Sequence, residues 1–106
     1  MVFSSVDARR LIRRMLVVGR LLLPKPEDHA RDEMRKDGLT DMDAINVIRS
    51  GVVREAEWEN GSWRYNVETA RLVFVVTFSP EPDRLPTDEE LADMDLVVVT
   101  GWRKRR

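Results

Sequence analysis

Apolar residues recur at helical spacing in the first half of the chain. A stripe with a period of three to four residues follows a capping serine and ends at two prolines, which predicts a first helix over residues 4–23. Pro26 and Gly38 bound a second predicted helix, because proline suits a first helical turn and glycine suits the left-handed position after a last turn. A third predicted helix starts with Thr40 or Asp41 as its cap and ends at Gly51.

The apolar period changes to two in the second half of the chain. Residues 52–58 alternate and predict a first strand, and Asn60-Gly61 is a hairpin signal that leads into a return strand over 63–68. Continuous apolar runs over 72–78 and 96–102 predict two further strands covered on both faces. The predicted fold class is therefore α+β, with about three N-terminal helices packed on one face of a three- to four-stranded antiparallel sheet.

The composition narrows the chemistry that the chain can carry. It has 106 residues, no cysteine and a single histidine, His29. A chain of this length is expected to form one domain with one core. The missing cysteines exclude disulfides, thiolate metal sites and a cysteine nucleophile, and with one histidine we expect no metal site and no cofactor. No apolar run resembles a secretion signal or a membrane span, which predicts a cytoplasmic protein without membrane contact.

Charges of opposite sign are separated along the chain although they nearly cancel. The 18 Lys+Arg and 19 Asp+Glu residues leave a formal net charge of -1. Residues 79–95 are acidic, whereas the sequence ends on the basic residues 103–106. Five arginines lie in the first predicted helix: Arg9, Arg10, Arg13, Arg14 and Arg20. Such separation allows one surface to bind a polyanion, and the alternative is an ordinary solvated helix face.

A series of short motifs resembles a known family. The matching residues are His29-Ala30-Arg31, Met34-Arg35, Gly38-Leu39-Thr40, Asp43, Val47-Ile48, Gly51, Arg64-Tyr65, Val75-Val76 and Val98-Val99-Thr100-Gly101-Trp102. They are similar to the small HAxxRM domains, which resemble the RelE/ParE-like and MqsR-like toxins of bacterial toxin–antitoxin systems. The resemblance makes residues 28–102 a toxin-like core, with 1–24 as an added N-terminal helix, 79–95 as an acidic insertion and 103–106 as a basic tail. The sequence departs from the family at Glu33, where an arginine is usual.

This resemblance implies a RelE-like fold and a toxin-like function. The implied activity is that of a metal-independent endoribonuclease with RNA as its substrate, held in check by an antitoxin protein. Such cleavage needs a base, an acid and a cation beside the phosphate. The predicted catalytic residues are His29, Arg64 and Tyr65, since histidine titrates near neutral pH and an arginine beside a tyrosine offers a phosphate clamp and a hydroxyl. The predicted phosphate-binding residues are Arg31, Arg35, Arg103 and Lys104.

Each of these residues also has a structural alternative. A lone histidine is often packed against a carboxylate or a carbonyl, and Tyr65 alternates with Trp63 and Val67 as core residues do. The basic residues 103–106 fit a solvated end of the chain equally well. The alternative function is therefore a non-catalytic module that binds a protein or a nucleic acid. The sequence leaves a homodimer open as well.

Overall fold

The computed structural model describes residues 1–105, which form three α-helices and six strands. The helices are α1 (Ser5–Val17), α2 (His29–Lys36) and α3 (Asp41–Ser50), and a short 3-10 helix covers Glu90–Asp93. Ser4 caps α1 by accepting the Asp7 N–H at 3.1 Å. Thr40 caps α3 through a reciprocal capping box with Asp43.

The strands form one mixed sheet with the spatial order β1-β6-β5-β4-β2, and β3 pairs with the remaining length of β4. Their bounds are β1 Leu21–Leu22, β2 Val52–Val53, β3 Glu57–Glu59, β4 Ser62–Glu68, β5 Leu72–Ser79 and β6 Asp95–Arg103. β1 runs parallel to β6, whereas the other pairs are antiparallel. The Asn60-Gly61 turn joins β3 to β4 with both residues at positive φ.

The predicted layout of this fold was wrong, although the α+β class agrees with the structure. The sheet has six strands rather than three or four, it is mixed rather than antiparallel, and a strand and a helix lie outside the expected order. β1 falls between α1 and α2, and the 3-10 helix comes between β5 and β6. The single strand predicted over 52–58 is also divided into β2 and β3. The layout of three N-terminal helices on a three- to four-stranded antiparallel sheet is therefore not the one that this chain forms.

Gly19 explains the largest of these differences. Gly19 lies two residues after Val17, the last residue of α1, and adopts φ +71°. Glycine accepts this left-handed conformation without strain, and the conformation prevents the helix from continuing. Arg20 then accepts the Leu96 N–H on its backbone oxygen at 2.8 Å, and Leu21 and Leu22 pair with Leu96 and Val97. The leucines continue the helical spacing of the preceding stripe, so the pattern predicted helix where the backbone forms an edge strand.

The helices cover one face of the sheet. Buried residues of α1, α2 and α3 form a continuous cluster with three sheet residues, Tyr65, Phe74 and Leu96. These three sheet residues are each at most 1% exposed. Val73 and Val75 are buried outside that cluster, on the sheet face that points away from the helices. Gly101 belongs to the helix-covered face opposite Phe74, where a methyl group would overlap the phenyl ring.

The acidic segment, residues 79–95, packs along α1. Arg14 donates to Asp88 at 2.9 Å and to the Pro86 carbonyl at 2.7 Å, and Arg20 pairs with Asp95 at 3.0 Å. Leu91 anchors the segment in the core at 1% exposure. Two of the five arginines from the first predicted helix are therefore neutralised within the fold.

Candidate functional site

Tyr65 is a buried core residue on β4. Its side chain lies among the core cluster at 1% exposure, and its hydroxyl oxygen accepts the Phe3 N–H at 2.8 Å. Burial raises the pKa of the phenol above its usual value, and the Phe3 hydrogen bond lowers it by less. The hydroxyl therefore holds the N-terminal segment against the sheet.

Arg64 precedes Tyr65 on β4 and points to the opposite face of the sheet, because successive strand residues alternate. Its guanidinium lies 4.0 Å from the Glu59 carboxylate on β3, and its Nε donates weakly to the Ser62 hydroxyl at 3.5 Å. The arginine and the tyrosine thus do not form a joint clamp. Each faces a different environment.

His29 is the first residue of α2, and 82% of its side chain is exposed. Its Nε2 lies 3.2 Å from the Glu33 carboxylate one helical turn further on. α2 packs against β6 rather than β4, and no hydrogen bond or ion pair within residues 1–105 joins His29 to either Arg64 or Tyr65. The structure does not bring the three predicted catalytic residues together.

The predicted phosphate-binding residues on α2 already have partners. Arg31 binds the Asp41 carboxylate and the Pro24 carbonyl, and only 14% of its side chain is exposed. Arg35 lies 3.4 Å from Asp32, in a more exposed pair. Arg31 thus ties α2 to the start of α3, and its guanidinium is not free for a ligand.

The basic residues at the C-terminal end hold β6 against α2. Arg103 is the last residue of β6; its N–H donates to the Asp37 carboxylate at 2.7 Å and its guanidinium donates to the Asp37 carbonyl. Arg105 binds the other carboxylate oxygen of Asp37 at 2.8 Å. Lys104 pairs with Glu68 of β4 at 2.9 Å. Arg103, Lys104 and Arg105 are therefore structured, while Arg106 lies outside the described residues.

Unpaired arginines are instead found along the groove between α1 and the C-terminal end of α3. We name this feature the arginine groove. It comprises two depressions, of about 250 Å³ and about 490 Å³. The first is lined by Ser5, Val6, Arg9, Ser50, Gly51, Val52 and Val53, and the second by Arg13, Leu16, Val17 and Arg49. The α1 positions form one helix face, since they recur every three to four residues.

The arginines of this groove have no acidic partners. Within residues 1–105, Arg9, Arg13 and the neighbouring Arg10 make no ion pair, and Arg49 donates only to the Asn46 side chain at 3.1 Å. All four are exposed. This contrasts with Arg14 on the other side of α1, which Asp88 neutralises. The groove is therefore a locally positive surface on a chain whose net charge is -1.

The sequence identified only part of this surface. The arginines of α1 were recognised from their helical spacing, but Arg49 lies in the last turn of α3 and carries no motif. Only the packing of α1 against α3 brings it beside Arg13. A usable signal was its place on α3 opposite the buried Ala44, Val47 and Ile48, which predicted exposure but not its neighbour.

The part of the chain that the structure describes shows neither a metal-binding cluster nor a membrane-spanning helix. No group of three or more histidine or carboxylate side chains there is arranged to hold a metal ion. None of the helices between residues 1 and 105 has the length and hydropathy needed to span a membrane.

Comparisons with known proteins found no match. No family model, no curated protein and no solved structure is similar to this chain. The resemblance to HAxxRM domains therefore stays a prediction.

Proposed function

We propose that this protein is a non-catalytic interaction module that binds an anionic partner through the arginine groove. The observation that carries the proposal is the set of unpaired, exposed arginines that line the groove at positions 9, 13 and 49, with the exposed Arg10 beside them on α1. Elsewhere in residues 1–105, most arginines contact a carboxylate within 4.0 Å. Concentrating free positive charge on one groove favours recognition of negative charge there.

The placement of the predicted catalytic residues supports the non-catalytic part of the proposal. General acid–base chemistry requires its groups within hydrogen-bond reach of one reacting atom. Tyr65 has its hydroxyl buried against Phe3, Arg64 points to the opposite face, and His29 lies on a helix that packs elsewhere. Endoribonuclease activity remains the prediction that the resemblance implies.

A charge-matched pair of variants tests the proposal. Arg9→Gln/Arg13→Gln/Arg49→Gln removes three charges from the groove, and Arg35→Gln/Arg71→Gln/Arg84→Gln removes three exposed charges elsewhere. The probes are fluorescein-labelled single-stranded RNA and labelled poly-L-glutamate, followed by fluorescence anisotropy at several salt concentrations. Both probes carry dense negative charge, and binding by phosphate contacts weakens as salt rises.

We expect the groove variant to lose at least tenfold in affinity for these probes at low salt, while the control variant stays within about threefold of the wild type. For RNA, the slope of log K against log salt should fall by about two for three lost contacts on a single strand. Equal losses in both variants would show general charge attraction and overturn the proposal. Circular dichroism is the check that both variants are folded.

A further inference from the structure

The arginine groove is apolar as well as positive. Val6 is 58% exposed, Val17 is 86% exposed and Val52 is 56% exposed, and all three line its two depressions. Leu16 adds a partly buried side chain beside Val17. Large exposed aliphatic side chains gathered in one groove are typical of a surface that another apolar surface covers.

The apolar and charged residues are ordered along the groove. Val6, Arg9, Arg13 and Val17 follow one another on the α1 face, so that the arginines lie between two aliphatic ends. At a rise of about 1.5 Å per residue, the distance from Val6 to Val17 is about 16 Å, or three turns of a partner helix. Arg49 stands across the groove from Arg13. A partner must therefore supply apolar contacts at both ends and negative charge between them.

We infer that the arginine groove receives an acidic amphipathic helix of a protein partner. This inference rests on the proposed function and specifies the partner's chemistry. Aliphatic side chains at i, i+4, i+7 and i+11 on the incoming helix extend over about 16 Å, so they cover Val6 and Val52 at one end of the groove and Val17 at the other, as in other helix-in-groove complexes. Its glutamate or aspartate side chains pair with Arg9, Arg13 and Arg49, which the apolar contacts shield from water.

A nucleic acid fits this groove less well. Phosphates can pair with the arginines, but a sugar–phosphate backbone offers no apolar surface against which the exposed valines could be buried. The described groove residues also include no aromatic side chain on which a base could stack. The protein partner uses both properties of the surface, whereas the nucleic acid uses one.

Two peptides of identical composition form the test. One is a glutamate-rich helical peptide with leucines at i, i+4, i+7 and i+11, a stripe about 16 Å long. The other has the same residues reordered so that the leucines spread around the helix. Labelled peptides, poly-L-glutamate and single-stranded RNA are titrated against the full chain at physiological salt. The protein variants are Val6→Ser/Val17→Ser in the groove and Leu85→Ser as an exposed control in the acidic segment.

We expect the ordered peptide to bind at least tenfold more tightly than the reordered one. The Val6→Ser/Val17→Ser variant should lose about tenfold in affinity for the ordered peptide and keep its affinity for poly-L-glutamate and RNA, because only apolar burial is removed. Leu85→Ser should leave all affinities unchanged.

Equal binding of the two peptides, no effect of the valine substitutions, or tighter binding of RNA than of the ordered peptide would overturn the inference while leaving the proposed function intact. A different result would overturn the proposed function itself. In that case, the arginine substitutions would leave the binding of every anionic probe unchanged.

Discussion

At the scale of single residues, Tyr65 shows how a reactive side chain serves as a structural one. Its ring packs against Phe78 at 5.5 Å between centroids, and Phe78 in turn meets the ring of Phe3 at 5.9 Å. The hydroxyl completes this arrangement by accepting the Phe3 N–H. Tyr65 thereby links the segment before α1 to the centre of the sheet, and burial raises the pKa of its hydroxyl away from neutrality.

The Tyr65→Phe substitution measures that link. It keeps the ring and leaves the buried Phe3 N–H without its acceptor, which should lower the free energy of unfolding by about 1–2 kcal/mol. The measurement is urea denaturation followed by tryptophan fluorescence. Ser50→Ala is the control, since its hydroxyl bonds the Asn46 carbonyl at an exposed helix end and its loss should cost about 0.5 kcal/mol or less. A Tyr65→Phe protein as stable as the wild type would contradict this role.

The sequence predicted part of the Tyr65 environment. Alternation with Trp63 and Val67 placed its ring on an apolar face and Arg64 on the other face. The partner of its hydroxyl could not be predicted, because Phe3 lies 62 residues away and precedes every predicted element. Similarly, nothing in the local pattern of Arg49 indicated that it would lie beside Arg13 across the groove. Long-range neighbours depend on the fold, and its layout was predicted incorrectly.

At the scale of elements, two acidic side chains hold other segments of the chain in place. Asp37, at the end of α2, accepts from the Arg103 N–H and from Arg105, and these bonds lower the pKa of its carboxyl. Glu90 accepts two guanidinium bonds from Arg84 and one from the Thr87 N–H, which together lower its pKa to about 2. The reciprocal contacts of Thr87 and Glu90 form a capping box at the short 3-10 helix.

The lowered pKa values predict acid sensitivity. A carboxyl that titrates lower in the folded than in the unfolded chain stabilises the fold above its unfolded pKa, here 3.8 for Asp37 and 4.5 for Glu90. That contribution is lost as the pH falls from about 4.5 towards 2. The thermal midpoint, measured by circular dichroism, should therefore be nearly constant from pH 7 to 5 and should fall below pH 4.5.

Substitution identifies the source of this acid sensitivity. Asp37→Asn should lower the midpoint at pH 7 and flatten the decline below pH 4.5, because the substituted side chain no longer titrates. Asp93→Asn is the control, since Asp93 is exposed and makes no ion pair within residues 1–105. Parallel curves for the wild type and Asp37→Asn would exclude Asp37 as a contributor.

Element boundaries were predictable where caps and turns are local, and unpredictable where pairing is distant. The cap at Thr40 predicted the start of α3, and Asn60-Gly61 predicted the hairpin. The two leucines of β1 could not be assigned from their spacing, because an edge strand of two residues is defined only by its partner β6. That strand changes the sheet from antiparallel to mixed.

At the scale of the whole molecule, the acidic segment determines which face of α1 stays positive. It neutralises Arg14 on one flank of α1 and Arg20 just beyond the helix, and it leaves Arg9, Arg10 and Arg13 unpaired within residues 1–105. The net charge of -1 conceals this asymmetry. The segment that the resemblance made an insertion therefore neutralises one flank of α1 and leaves the flank at the arginine groove positive. The proposed function depends on this distribution of charge rather than on a single reactive residue.

The nuclease prediction also concerns the whole molecule, because cleavage requires groups from several elements to meet. His29 on α2, Arg64 on one face of β4 and Tyr65 on the other have separate partners. We therefore expect purified protein to leave single-stranded RNA intact in the presence of a chelator, as judged on a denaturing gel. The His29→Ala/Arg64→Ala variant, purified identically, sets the background from trace contaminants. Cleavage by the wild type that disappears in this folded variant would restore the endoribonuclease prediction and refute the non-catalytic proposal.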